Sequence, residues 1–154
     1  MPKNPPDGIQ RVTTRIAYED PAAAVEFLHH AFGFPEIEGM RIEGSDGSII
    51  LTEVQIADCY IMIGPAGSHE IASPKSVGLS TESLMVYVDG IDDHFRTAKS
   101  KGAEIIDEPA DQYWGDRRYA ARDLEGHLWF FHEHTKEVSR EEIDAVEASF
   151  RTGG

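Results

Sequence analysis

The chain has 154 residues, 40% of them hydrophobic, and a formal net charge of −14 at pH 7. This length and apolar content suffice for a compact core, and the acidic balance argues against nucleic acid, because phosphate binding needs clustered Lys and Arg. Cys59 is the only cysteine, which excludes an intramolecular disulfide and fits a cytoplasmic location. No apolar run approaches the ~20 residues of a membrane span, so no membrane partner is expected.

The first half of the chain predicts one strand, one helix and three further strands. Residues 11–20 show the period of two that is typical of a strand, and residues 1–10 before them are predicted to be flexible. Asp20 and Pro21 suit the N-cap and first position of a helix, which Gly33 ends. Turn residues then separate strands predicted at 36–43, 49–56 and 60–63.

The second half repeats this order. A segment at 65–80 is rich in Gly, Ser and Pro and predicts a linker. A strand at 83–88 leads into a helix that begins at Ile91 and ends at Gly102. Further strands are predicted at 103–106, 118–122 and 127–132.

The two halves are offset consistently. Thr13 and Ser83, on the first strand of each half, are 70 residues apart, and the two helix starts differ by the same number. A shared offset with one element order indicates a duplicated module, with boundaries at about 11–64 and 81–134.

The segment at 135–154 predicts a C-terminal amphipathic helix and tail. Ser139 and Glu142 form the capping-box pattern S-x-x-E. The apolar residues that follow lie on one helical stripe, namely Ile143, Val146 and Phe150. The apolar stripe of such a helix has to cover either its own sheet or a partner.

Two segments resemble the vicinal oxygen chelate superfamily, the glyoxalase/bleomycin resistance protein/dioxygenase type. Residues 18–34 run from a strand through Asp-Pro and a helix to His-Ala-Phe-Gly-Phe, and residues 115–129 carry an Asp-x-x-Gly turn before the last strand. The resemblance covers about 11–134. It implies an α+β fold of two βαβββ modules forming an incomplete barrel around a cavity, with the C-terminal helix in addition. Members are usually dimers, so a homodimer is expected.

Many enzymes of this superfamily hold a divalent metal with four side chains from the strands of both modules. Carried onto this chain, those positions are Thr13, Met62, Ser83 and Phe130. Hydroxyl, thioether and phenyl groups do not hold a hard or borderline cation in such a site. We therefore expect no bound metal and no cofactor.

The resemblance also implies which residues line the cavity and bind a ligand. They are Thr13, Arg15, Tyr60, Met62, Met85, Tyr87, Trp114, Tyr119, Phe130 and His132. Most of these side chains are aromatic or soft and apolar, which suits a planar, hydrophobic or cationic organic molecule. Trp114 and Tyr119 are expected at the rim.

Several of these residues allow a second interpretation. A buried Arg15 needs an acidic partner or an anionic ligand, but an exposed edge position would need neither. His132 and His134 form an H-x-H pattern on one strand face, which suits a metal, although a strand end that reaches solvent explains it more simply. Trp114 lies in a loop and either packs over the core or closes a pocket.

Three functions compete. The preferred one is a metal-free protein that binds or sequesters a small hydrophobic or cationic molecule, as bleomycin-resistance members of the superfamily do. The second is a lyase, isomerase or dioxygenase of the same superfamily with a non-standard or metal-free site, using Arg15, Tyr87 and His132 for acid–base work. The third is a metal site built from other ligands such as His132 and Glu53. The fold does not identify the ligand.

Overall fold

In the computed structural model, which describes residues 1–153, the first module runs strand, helix and three strands. These elements are β1 (Arg15–Tyr18), α1 (Pro21–Phe32), β2 (Ile42–Glu43), β3 (Ile49–Ile56) and β4 (Cys59–Pro65). The sheet order is β1-β4-β3-β2, with β1 parallel to β4 and the other neighbours antiparallel. This is the βαβββ arrangement predicted for the first half.

Helix α1 forms where the sequence predicts it because both ends are capped and one stripe is apolar. The Asp20 carboxylate accepts a hydrogen bond from the backbone N–H of Ala23 at 3.0 Å. Gly33 adopts the left-handed conformation, with φ of 75°, that ends the helix. The buried stripe, which includes Leu28 and Phe32, packs on β1, β3 and β4.

Two predicted strands of the first module are shorter in the structure. Strand β1 begins at Arg15, so that Thr13 precedes the strand instead of lying on it. The strand predicted at 36–43 is interrupted by a turn, in which Gly39 has a φ of 81° and the Met40 N–H donates to the Ile37 carbonyl at 3.2 Å. Glu36 before the turn still bridges to Val54, and it pairs with Arg41 after the turn at 2.7 Å.

The segment at 65–80 was predicted as a linker, but it contains regular structure. It holds a 3₁₀ turn at Ser68–Glu70 and the short helix α2 (Pro74–Val77). Ser73 is fully buried, and its hydroxyl caps α2 by accepting a hydrogen bond from the backbone N–H of Lys75 at 3.3 Å. A serine followed by proline is a helix start, a signal that the segment's composition conceals.

The second module repeats the order of the first. Its elements are β5 (Ser83–Tyr87), α3 (Ile91–Ser100), β6 (Glu104–Asp111), β7 (Asp116–Arg122) and β8 (Leu128–His134). The sheet order is β5-β8-β7-β6, with β5 parallel to β8. Two mixed sheets, each with its own helix, confirm the α+β class and the two βαβββ modules.

Strand β6 extends well beyond its predicted end. It pairs only with β7 among the described strands, and its register shifts twice along the pairing. It also carries Pro109, which a sheet tolerates on an edge strand. Irregular pairing and a proline conceal the strand from a search for alternating residues.

The C-terminal helix is confirmed as α4 (Arg140–Thr152). The Ser139 hydroxyl accepts from the backbone N–H of Glu142 at 3.2 Å, and the Glu142 carboxylate accepts from the backbone N–H of Ser139 at 2.9 Å. The Phe150 ring lies 5.7 Å from that of Tyr113, yet Phe150 remains 64% exposed. Within residues 1–153, no helix has the length and apolar character needed to cross a bilayer.

The structure divides into two units, Met1–Leu79 with Leu124–Gly126, and the remaining described residues. The turn between β7 and β8 belongs to the first unit through Glu125, which is buried. Its carboxylate accepts hydrogen bonds from the backbone N–H groups of Glu19 at 2.7 Å and Asp20 at 2.9 Å. A negative charge is thereby held beside the N-terminus of α1, where the helix dipole favours it.

Candidate ligand-binding face

One face of the second sheet carries large side chains, of which Met85 and Tyr87 remain open to solvent. Helix α3 packs against β6, β7 and β8. Because side chains alternate along a strand, one face of β7 and β8 packs against α3 and the other points away from it. We define the open face by Met85, Tyr87, Arg118, Phe130 and His132. The register makes cross-strand neighbours of Met85 and Phe130, of Tyr87 and His132, and of Arg118 and His132.

Exposure on the open face is high for apolar groups. Met85 is 62% and Tyr87 53% exposed, and Phe130 is half-buried. The guanidinium of Arg118 lies over the Phe130 ring, 5.3 Å from its centroid, which is a favourable cation–π distance. The Nε of Arg118 is enclosed and has no hydrogen-bond partner among the described residues. The face therefore combines exposed apolar surface with a guanidinium that Asp107 approaches to 3.7 Å.

A buried carboxylate, Asp116, organises one end of this face. It accepts hydrogen bonds from the Tyr87 hydroxyl at 2.7 Å, from His132 Nδ1 at 3.0 Å and from His134 Nδ1 at 2.9 Å, and also from the Trp114 side chain. Burial by itself would raise the pKa of Asp116, but the bonds from His134, Tyr87, Trp114 and His132 outweigh it and hold the pKa well below the usual aspartate range. Asp116 is thus an anion, and both of its carboxylate oxygens accept hydrogen bonds.

The loop before Asp116 is fixed by Gly115. Its carbonyl accepts hydrogen bonds from the backbone N–H groups of Thr135 and Lys136, each at 3.0 Å. Its φ is +101°, and a Cβ at this position would lie 2.0 Å from the Lys136 carbonyl oxygen, so only glycine fits. The Trp114 ring next to it lies 6.3 Å from the His132 ring. The loop therefore holds Trp114 at the edge of the open face.

In the first module, Arg15 lies on the face of the sheet away from α1. It is the cross-strand neighbour of Met62, and its guanidinium covers Gly64, where a Cβ would lie 2.7 Å from Nη2. Nη2 donates to the Pro65 carbonyl at 3.3 Å, and the enclosed Nη1 has no hydrogen-bond partner among the described residues. Arg15 is therefore half-buried with unused donor capacity.

The other first-module residues predicted to bind a ligand are held by Gln10. Its side-chain oxygen accepts from the backbone N–H of Tyr60 at 2.7 Å, and its Nε2 donates to the Thr13 hydroxyl at 3.5 Å. Tyr60 shares the face of Met62 by strand alternation and is half-buried. Thr13 lies beyond the end of β1, so Arg15 takes the place beside Met62.

Tyr119 does not lie at a pocket rim as predicted. It is fully buried on the face of β7 that packs against α3, where its hydroxyl lies 2.6 Å from His94 Nδ1. Burial raises the pKa of its phenol, so the hydroxyl stays protonated. The strand that carries it was predicted correctly, but its buried face could not be assigned without the register.

Metal ligation has no evident site. Among residues 1–153, no group of three or more His, Cys, Asp or Glu side chains is arranged to hold a metal ion. His132 and His134 do share a strand face, but the Nδ1 of each is bonded to Asp116. Sequence reasoning missed Asp116 itself. The sequence feature that could have revealed Asp116 is a carboxylate at the first position of β7, the strand that pairs with the H-x-H strand β8.

A cleft of about 600 Å³ lies beside this end of the second module. It is lined by the loop around Gly115, the segment after β8 and two residues of α4. The lining residues are Asp111, Gln112, Tyr113, Gly115, Asp116, Arg117, Thr135, Lys136, Val138, Glu142 and Val146. Acidic and basic groups are mixed there, and Arg117 is already paired with Asp92 at 3.0 Å and Asp111 at 3.1 Å.

Comparison with protein families gives one match over most of the chain. The model of the Glyoxalase/Bleomycin resistance protein/Dioxygenase superfamily matches residues 8–131. An uncharacterized protein of Mycobacterium bovis is 28% identical over 143 residues, which span 90% of this chain and 92% of that protein. A counterpart in Mycobacterium tuberculosis is also 28% identical over 143 residues, spanning 90% and 82% of the two chains.

Solved structures share the same architecture. TioX from Micromonospora sp. ML1 is 30% identical, covers 84% of this chain and 100% of its own, and superposes with a TM-score of 0.65. TnmS3, an antibiotic binding protein from Streptomyces sp. CB03234, is 18% identical, covers 83% of this chain and 97% of its own, and gives a TM-score of 0.62. Because the sequence identity to TnmS3 is only 18%, this similarity shows a shared fold.

Proposed function

Since the chain belongs to the glyoxalase/bleomycin resistance protein/dioxygenase superfamily, we propose that it binds a small, planar hydrophobic or cationic organic molecule on the open face of the second sheet. The observation that carries this proposal is the exposure of Met85 and Tyr87 beside the Phe130 ring. Large apolar side chains grouped on a sheet face are typical of a ligand or partner site.

The energetics favour a flat apolar ligand. Burying a side chain of this size gains about 1.5–3 kcal/mol, and an aromatic contact adds about 0.5–1.5 kcal/mol. Tyr87, Phe130 and Trp114 offer ring faces or edges for such contacts. Arg118 and His132 supply polar groups that would orient the molecule.

The charge of the ligand depends on two opposing effects. The net charge of −14 attracts cations from a distance. At the face itself, the positive guanidinium of Arg118 opposes this attraction, while Asp116 stays ionised and Asp107 lies 3.7 Å from the guanidinium. We propose that hydrophobic contact dominates affinity, so that salt changes binding little, whereas a strong fall of affinity with salt would favour a cation.

Binding without a metal is part of the proposal. The positions that hold the metal in many relatives carry Thr13, Met62, Ser83 and Phe130 here, and these are poor ligands for hard or borderline cations. TnmS3 is described as an antibiotic binding protein and has this fold, which supports a small-molecule role for the architecture.

The experiment is a titration of a panel of neutral, cationic and anionic planar aromatic compounds, followed by calorimetry and tryptophan fluorescence. We expect saturable binding that Met85→Ala and Trp114→Ala each weaken by about 1–3 kcal/mol. Ile50→Ala is the matched control, because Ile50 lies on a strand of the first module and is 51% exposed. No binding across the panel, or an equal loss in the control, would overturn the proposal.

We further propose that the chain is a cytoplasmic homodimer. Phe150 and Val146 of α4 are 64% and 36% exposed, and β2 and β6 end their sheets with open edges. The exposed free thiol of Cys59 supports a reducing compartment. Light scattering at micromolar concentration should give twice the mass of one chain, and Phe150→Glu should reduce it. A monomer mass for the unmodified protein would contradict the dimer.

A further inference from the structure

Asp116 fixes which nitrogen of His132 carries a proton. The Asp116 carboxylate accepts hydrogen bonds and cannot donate any, and His132 Nδ1 lies 3.0 Å from one of its oxygens. The proton of that bond therefore belongs to Nδ1. In the neutral ring, the other nitrogen, Nε2, then presents a lone pair and acts as a hydrogen-bond acceptor.

The Nε2 of His132 has no hydrogen-bond partner among residues 1–153, although the side chain is only 6% exposed. Two polar side-chain atoms of the described residues are enclosed without a hydrogen-bond partner, namely Arg15 Nη1 and Arg118 Nε. His132 Nε2 is not one of them, so this nitrogen is in contact with solvent. The neighbouring rings of Tyr87 and Trp114 lie 5.5 Å and 6.3 Å from the imidazole. An unused acceptor is thus held among aromatic rings.

We propose that His132 Nε2 accepts a hydrogen bond from a hydroxyl or N–H group of the bound molecule, so that the preferred ligands are planar aromatics carrying a phenol-type donor. This inference rests on the proposed function and specifies its ligand class. Asp116 is a positioning residue, since it sets the tautomer and orientation of the imidazole that contacts the ligand. A site built around a polar group discriminates against molecules that leave that group unpaired.

The first test needs no ligand. Long-range ¹H–¹⁵N correlation spectra of the ¹⁵N-labelled protein report the tautomer of each histidine, and His132→Gln assigns the signals of His132. We expect a protonated Nδ1 and an unprotonated Nε2 for the neutral ring. An Nε2-protonated ring would overturn the inference, while leaving open-face binding of apolar molecules standing.

The second test uses 2-naphthol and 2-methoxynaphthalene, two planar probes of which only the first carries a donor. Calorimetry should show 2-naphthol binding about five- to tenfold more tightly, the value of one hydrogen bond. His132→Phe keeps a ring and should abolish this preference. Asp116→Asn lets the imidazole reverse its tautomer and should reduce or invert the preference. Met85→Ala should weaken both probes equally and preserve the ratio.

The outcomes distinguish the proposed hydrogen bond to His132 from the proposed ligand binding on the open face. Equal affinity for the two probes, or a preference that survives His132→Phe in a folded variant, overturns the inference and leaves the proposed function intact. Failure of both probes and of the rest of the aromatic panel to bind overturns both. Thermal unfolding of each variant shows whether it is folded before its affinity is compared.

Discussion

Helices α1 and α3 occupy the same place in their modules, but the side chains that they pack against their sheets differ in polarity. Helix α1 covers its sheet with apolar groups, of which Leu28 and Phe32 are almost fully buried. Helix α3 buries Ile91 and Ala98 and adds His94, which pairs with the hydroxyl of the buried Tyr119. One backbone arrangement is thus supported by apolar packing in one copy and partly by polar pairing in the other.

The difference extends through the second module. Trp129 lies in its core and donates its Nε1–H to the Asp123 carboxylate at 3.1 Å, and Asp116 joins four side chains at the open face. Buried polar groups cost stability unless they are paired, so such networks fix their members in one geometry. The first module also buries polar groups, such as Thr52, whose hydroxyl donates to Glu36 at 2.6 Å. In the second module the Asp116 network lies beside the exposed Met85 and Tyr87, and this combination is why we propose that the second module recognises the ligand.

The largest expected effect tests the apolar core of the first module. Leu28→Ala should lower the free energy of unfolding by about 2–5 kcal/mol, because it leaves a cavity under a fully buried side chain. Phe95→Ala in α3 removes a larger but half-buried ring and should cost clearly less. Urea unfolding of both variants measures the two values. Equal losses would show that the helices contribute alike.

A second pair of variants compares the stability lost when alanine replaces a glycine that has other atoms close to its Cα. Gly115→Ala should destabilise the protein by about 2–4 kcal/mol, since its Cβ would meet the Lys136 carbonyl and its φ is positive. Gly64→Ala in the first module should cost about 1 kcal/mol or less, because the atoms it meets belong to the movable Arg15 side chain. Denaturant midpoints of the two variants give the comparison. A larger loss for Gly64→Ala would contradict our account of the Trp114 loop.

The third prediction concerns acid. The folded pKa of Asp116 lies below its unfolded value of about 3.9, so its network stabilises the fold above that pH and the stabilisation is lost as the pH falls below it. Asp116→Asn should therefore flatten the acid limb of the stability curve. Glu36→Gln removes a more exposed carboxylate whose pKa is also lowered, first by its bond from Arg41, and should flatten the limb less. Thermal unfolding between about pH 2 and 5, which spans the pH range just below the unfolded pKa, distinguishes the two.

Features set by residues close in sequence could be predicted, and features set by strand pairing could not. Capping residues predicted α1 and α4 because a cap and its helix are neighbours in the chain. Alternation placed Met85 with Tyr87, and Phe130 with His132, because that period is local to one strand. The Asp116 network remained hidden because its partners come from separate stretches of the chain that only the register of β5, β7 and β8 brings together.

The smallest expected effect concerns His134, at the exposed end of the same network. Its pKa is raised, first by the hydrogen bond to Asp116 and then by that to Glu137, with burial opposing them. A group whose folded pKa is raised stabilises the fold fully below its unfolded value, here about 6.5, and this stabilisation disappears as the pH rises through the folded pKa.

NMR titration of His134 should therefore give a pKa above the ordinary histidine value of about 6.5. Glu137→Gln should lower it slightly, and Asp116→Asn should lower it more, because the bond to Asp116 is the larger cause. Stability should decline gently through neutral pH in the unmodified protein and stay flatter in His134→Gln. If Glu137→Gln had the greater effect, the exposed Glu137 and not the buried Asp116 would control the pKa of His134. The Asp116 network would then comprise Tyr87, His132 and Trp114 without His134.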